Sequence, residues 1–183
     1  MKTYKLFLAF FLSVVFFSAS GQFNSATLTA AGLTCAMCTK AINKSLEQLP
    51  FINSVKADIK NSAFNISFKE GSAVDFDLLK KAVEDAGFSV ARLKLTGNFN
   101  NVPIQNDTHV NIGGRVFHFL NVPTQTLNGK ETLTMIDKNY ITTKEFRKYS
   151  ALTAMKCIQT GKATGCCSKE GIAENTRIYH VTI

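Results

Sequence analysis

The chain has 183 residues, a formal charge of +8, five cysteines and no tryptophan. That length suits one ordinary domain or two small ones, and the lysines and arginines are scattered rather than clustered, a solvated basic surface that gives no sign of a nucleic-acid site. An odd number of cysteines excludes complete pairing within the chain, so at least one thiol needs another role.

Taken in order, the chain opens MKTYKLFLAFFLSVVFFSASGQ, with Lys2 and Lys5 ahead of an apolar run from Leu6 to Phe17. The run is too short to cross about 30 Å of hydrocarbon, and small residues follow it, so residues 1–21 read as a secretory signal peptide cleaved before Gln22, where Ala19 and Gly21 fit, with Ser18 and Ser20 before Gly21 fitting nearly as well. A retained membrane anchor is the alternative. The expectation is an exported protein, periplasmic or extracellular, with no stable membrane insertion after cleavage.

Ala26 to Leu33 alternates as a short strand, with Leu28 and Ala30 on one face. Cys38, Ile42, Leu46 and Leu49 then recur at helical spacing, and Pro50 ends the helix. Val55, Ala57 and Ile59, a turn at Asn61–Ser62, and then Phe64, Ile66 and Phe68 read as a hairpin. Asp75 caps a second helix with an inner stripe of Leu78, Leu79, Ala82, Val83 and Ala86, and Gly87 stops it. Phe88 to Leu95 returns to strand. The order βαββαβ predicts an α+β, ferredoxin-like sheet with both helices on one face, over residues 22–95.

Residues 96–107, rich in Asn with Gly97 and Pro103, read as a linker. Beyond it, residues 108–183 predict a second, β-rich domain. His109 to Val122 reads as one long strand bent at Gly113–Gly114, and Asn128–Gly129 as a hairpin turn into Glu131–Asp137. Thr142 and Glu145 form a capping-box pattern ahead of a helix with Phe146, Tyr149, Leu152 and Met155 on its buried side, and Thr176 to Ile183 closes as a strand. A small, partly open barrel of the oligonucleotide/oligosaccharide-binding type is the expected architecture.

Cys35 and Cys38 sit where the first strand hands over to the first helix. Placed at a helix N-terminus, both sulfurs can face one point while unpaired N–H groups and the helix dipole favour thiolate, helped by Lys40 and Lys44. Two soft ligands with no His or carboxylate beside them in sequence suit a soft, low-coordination ion, which ranks Cu(I) first; other soft or borderline ions such as Zn(II) stay open, although Zn(II) would want four ligands. Thiol–disulfide exchange, a structural bridge, and a partner-binding module whose metal site is vestigial are the competing readings.

Residues 26–95 resemble the heavy-metal-associated domain of soluble copper chaperones and of the metal-transporting P-type ATPases, through Gly32-Leu33-Thr34-Cys35, Cys38, the helix that follows and Asp85-Ala86-Gly87-Phe88. The resemblance implies a carrier that exchanges the ion with a donor or acceptor protein. It makes Cys35 and Cys38 the ligands, puts Leu33 beneath the loop in place of a methionine, and sets Phe88 beside the loop as a screen.

Cys157, Cys166 and Cys167 lie in one Gly-containing loop. A disulfide from Cys157 to either neighbour is one expectation, worth about 2–3 kcal/mol in the chain-entropy model; a second soft-metal site is the other. His118 and His180 occupy similar places in two apolar strands and could meet across a sheet, as hydrogen-bonded residues or as accessory ligands. His109 carries almost no signal. No Ser/His/Asp arrangement, phosphate-binding glycine loop or carboxylate pair is apparent, so the chain is expected not to be an enzyme.

Overall fold

The computed structural model describes residues 21–33 and 35–183. The expected signal peptide therefore lies, but for Gly21, outside the described residues, as does Thr34. No helix among the described residues is long and apolar enough to cross a membrane.

The N-terminal half has the expected order. Strand β1 (Gly21–Ala31) is followed by helix α1 (Ala36–Glu47), β2 (Ile52–Asp58), β3 (Ala63–Phe68), α2 (Phe76–Asp85) and β4 (Ser89–Ile104). The strands lie in the order β2-β3-β1-β4, all antiparallel, with α1 packed on α2 and β2, and α2 on β4. This is the ferredoxin-like arrangement. Periodicity accounts for its core: Phe23, Ala26, Leu28 and Ala30 point inward from β1, Ile42 and Leu46 from α1, and Phe76, Leu79, Ala82 and Val83 from α2. Asp75 caps α2 by accepting hydrogen bonds from Asp77 N and Leu78 N.

The expected linker is not one. β4 runs straight through residues 96–104, with Gly97, Phe99, Val102 and Ile104 buried. Asn101, at φ 49°, adds a residue that shifts the register between Phe99 and Val102 and breaks the alternation that would have marked the strand. The partner of this stretch is β7 (Gln125–Met135), which is continuous. Asn128–Gly129 is thus no hairpin turn: Gly129, at φ 74°, pairs with Phe99 beside the bulge.

The barrel expectation is also overturned. β5 (Thr108–Ile112) and β6 (Arg115–Phe119) form a tight hairpin whose two turn glycines, Gly113 and Gly114, both have positive φ, so the long bent strand is two strands. β8 (Ile178–Thr182) lies between β7 and β6, antiparallel to the first and parallel to the second. The result is one open sheet in the order β2-β3-β1-β4-β7-β8-β6-β5, whose outer strands β2 and β5 do not meet. Helix α3 (Thr143–Ser150) carries the expected capping box, but it ends before Leu152, which is exposed.

The two halves share a core. Phe23 of β1 packs against Phe76 of α2, Phe99 of β4 and Phe117 of β6, with ring centroids 5.3, 5.7 and 5.4 Å away. A polar clasp flanks it. Arg177 donates to both carboxylate oxygens of Asp77, on α2, at 2.8 and 3.0 Å, and to Asp137 at 2.9 Å, while Tyr140 donates its hydroxyl to Asp77 at 2.8 Å.

Candidate functional site

Two separate groups of cysteines stand on this frame. The first is at the start of α1. Cys35 is the N-cap residue in extended backbone, and its sulfur accepts a hydrogen bond from Cys38 N at 3.2 Å. Cys35 and Cys38 are bonded to each other, with Cα atoms 5.4 Å apart. The spacing therefore brings both sulfurs to one point, at the helix start where Cys35, Ala36 and Met37 are exposed, Met37 to 73%. Lys40 and Lys44 are exposed along the same helix, and Leu33 packs on the main core beneath. Phe88 is half-buried against that core and directly precedes Ser89, the partner of Ala31, which puts it at the end of the sheet from which the cysteine loop leaves.

The second group gathers four segments of the C-terminal half. Cys157 opens a short helix α4 (Cys157–Thr160), and Cys167 opens a single 3-10 turn (Cys167–Glu170). Both are fully buried, and Cys157, Cys166 and Cys167 are free thiols, so the expected disulfide is not formed. The hairpin β5–β6 faces them: His109 and His118 are cross-strand partners with ring centroids 4.4 Å apart. Cys157 Sγ lies 3.7 Å from His109 Nε2 and 3.8 Å from His118 Nδ1, and Cys167 Sγ lies 3.9 Å from His109 Nε2.

Each imidazole has its other nitrogen on a carboxylate. His109 Nδ1 is 2.7 Å from Glu170 Oε2, and His118 Nε2 is 2.9 Å from Asp107 Oδ1. His180 is the parallel partner of His118, as expected of strand residues that meet; its Nδ1 is 2.5 Å from Asp137 Oδ1, and its Nε2 has no hydrogen-bond partner among the described residues. Burial, reinforced by His180 and His109, pushes His118 down to about 4 against the pull of Asp107. Burial pushes the Cys157 and Cys167 thiols up. Half-exposed Cys166 goes the other way, to about 7, led by its hydrogen bond with Thr164.

Sequence reasoning found the three cysteines and His118 but missed His109, Asp107 and Glu170. His109 sits two residues after Asp107 in a run of polar residues, and nothing local marks it. Its place follows only from the register of β5 on β6.

Residues 27–89 match the family model of the heavy-metal-associated domain. A stretch of 64 residues is 33% identical to a probable copper-exporting P-type ATPase of Archaeoglobus fulgidus, spanning 35% of this chain but only 8% of the ATPase. Another of 66 residues is 29% identical to the copper chaperone CopZ of Bacillus subtilis, spanning 36% of this chain and 94% of CopZ. Among solved structures, a CopZ metallochaperone aligns over 37% of this chain and 98% of its own, at 22% identity and a TM-score of 0.34.

Proposed function

We propose that the heavy-metal-associated segment, residues 27–89, binds a soft metal ion through Cys35 and Cys38, Cu(I) foremost, and exchanges it with a donor or acceptor protein. The observation that carries this reading is the convergence of both sulfurs at the exposed N-terminus of α1. Two thiolates there form a low-coordination soft site, which an incoming thiolate can enter as a third ligand before one of the first pair leaves. The names of the two relatives, a copper exporter and a copper chaperone, favour copper over other soft ions. Exposed Met37, between the cysteines, offers the partner an apolar contact. Phe88, at the same end of the sheet, shields the ion from one side. The signal-like residues 1–21 support a working site outside the cytoplasm, and the exposed dithiol supports a carrier role.

Binding requires the dithiol, so the Cys35–Cys38 bond must first take up two electrons from a reductant such as a partner dithiol. That bond also favours a second reading, a thiol–disulfide exchange protein. One experiment separates them. Reduced full chain titrated with Cu(I) against a chromogenic chelator is expected to retain one ion that is lost in the Cys35→Ser, Cys38→Ser variant, with no catalysis of insulin reduction. Undiminished Cu(I) retention by the variant at that affinity would overturn the assignment, and rapid insulin reduction by the parent would favour the redox reading.

A further inference from the structure

We infer that His109, His118, Cys157 and Cys167 form a second metal site, distinct from the cysteine loop, built for a borderline divalent ion of the Zn(II) class. One ligand atom from each of His109, His118 and Cys157 lies within 4.8 Å of the others. The S···N separations of 3.7, 3.8 and 3.9 Å approach the edge of a Zn(II) tetrahedron, about 3.5–3.6 Å from Zn–S and Zn–N bonds of about 2.3 and 2.05 Å. These three edges exceed the tetrahedral value by a few tenths of an ångström, while Cys167, which lies outside the tight trio of His109, His118 and Cys157, must swing further to complete the set.

The protonation pattern points the same way. A carboxylate only accepts hydrogen bonds, so the nitrogens facing Glu170 and Asp107 carry the protons. That leaves the lone pairs of His109 Nε2 and His118 Nδ1 aimed at the sulfurs. Carboxylates that fix the tautomer and ring orientation of imidazole ligands are the usual supporting shell of zinc-type sites. Here two independent pairs do so around one point, and nothing in sheet packing requires both. The donor set, two nitrogens and two sulfurs, suits a tetrahedral borderline ion better than the two-sulfur loop does. A cleft of about 350 Å³ lined by His109, Glu170 and Thr176 gives the ion a way in from solvent.

The site rests on none of the residues assigned to Cu(I), so it is tested in the full chain with Cys35→Ser and Cys38→Ser in place. Under reducing conditions this protein is expected to take up one Co(II) per chain, with a thiolate-to-cobalt charge-transfer band and the intense visible absorption of tetrahedral cobalt, and one Zn(II) should displace it. Zn(II) should also raise the melting temperature. Cys157→Ala should weaken the band severalfold, Cys166→Ser should leave it, and Glu170→Gln, which keeps every ligand, should weaken Zn(II) about 10- to 100-fold. Circular dichroism of the metal-free variants checks the fold, and Glu170→Gln, on the surface, supplies the test if Cys157→Ala fails to fold. No charge-transfer band in the parent, or one unchanged by both Cys157→Ala and Glu170→Gln, would overturn the site. Cu(I) titration of Cys157→Ala with Cys35 and Cys38 intact reads the first site separately.

Discussion

Replacing Phe117 by Ala asks whether the two halves unfold as one body. Phe117 is fully buried on β6, yet its ring meets Phe23 of β1 at 5.4 Å, Phe76 of α2 at 6.3 Å and Tyr179 of β8 at 5.7 Å. Removing a buried phenyl ring takes away roughly 150–200 Å² of apolar burial, about 4–5 kcal/mol at 25 cal/mol per Å², and measured Phe→Ala costs run about 3–5 kcal/mol. For a chain of this size that lowers the melting temperature by about 6–20 °C. At about tenfold per 1.4 kcal/mol, globally exchanging amides should exchange roughly 10²- to 4 × 10³-fold faster. The decisive measurement is hydrogen exchange at Phe64 and Ile66 on β3, at the far end of the sheet. With a shared core they accelerate in step with Val116 and Phe119. Acceleration confined to residues after 105, with β3 unchanged, would show two independently folding units and refute the argument.

Arg177→Met should cost about 3–5 kcal/mol in chemical denaturation, because it leaves Asp137, only 5% exposed, and Asp77 without their cation. Asp77 also predicts a pH dependence. Burial pushes its carboxyl up, but hydrogen bonds and charge from Arg177 outweigh this and hold it below the ordinary 3.8. The folded state thus binds the proton less readily than the unfolded one, so its contribution is full above about pH 3.8 and is lost as pH falls through the lower folded value. Acid titrations of wild type and Asp77→Asn, followed by circular dichroism, should diverge above that value and converge at the acid end; identical curves would exclude the effect.

The first half of the fold was legible because its elements are short and bounded by local signals: Asp75 as cap, Gly87 as stop, and strict alternation from Phe64 to Phe68. The approach of Cys35 to Cys38 was legible for the same reason, since its geometry is set within four residues. Residues 96–104 were misread because the bulge at Asn101 changes the phase of burial midway, and asparagines on the exposed face look like loop. The second cluster depends on pairings more distant in sequence. His109 meets Cys157 across 48 positions, and no periodicity in either segment encodes that meeting.

The position of β8 also bears on how the protein is made. Residues 178–182 are the bridge through which the β5–β6 hairpin joins the rest of the sheet. During synthesis, β1 to β4 can assemble early, whereas β6 and β7 each display an unpaired strand edge until these residues leave the ribosome. Such edges invite pairing with other chains, and contacts so distant in sequence form slowly. A chain that stops short of Ile178 would therefore keep its cysteine loop but expose two sticky edges, making aggregation of nascent or truncated chains the characteristic failure of this architecture.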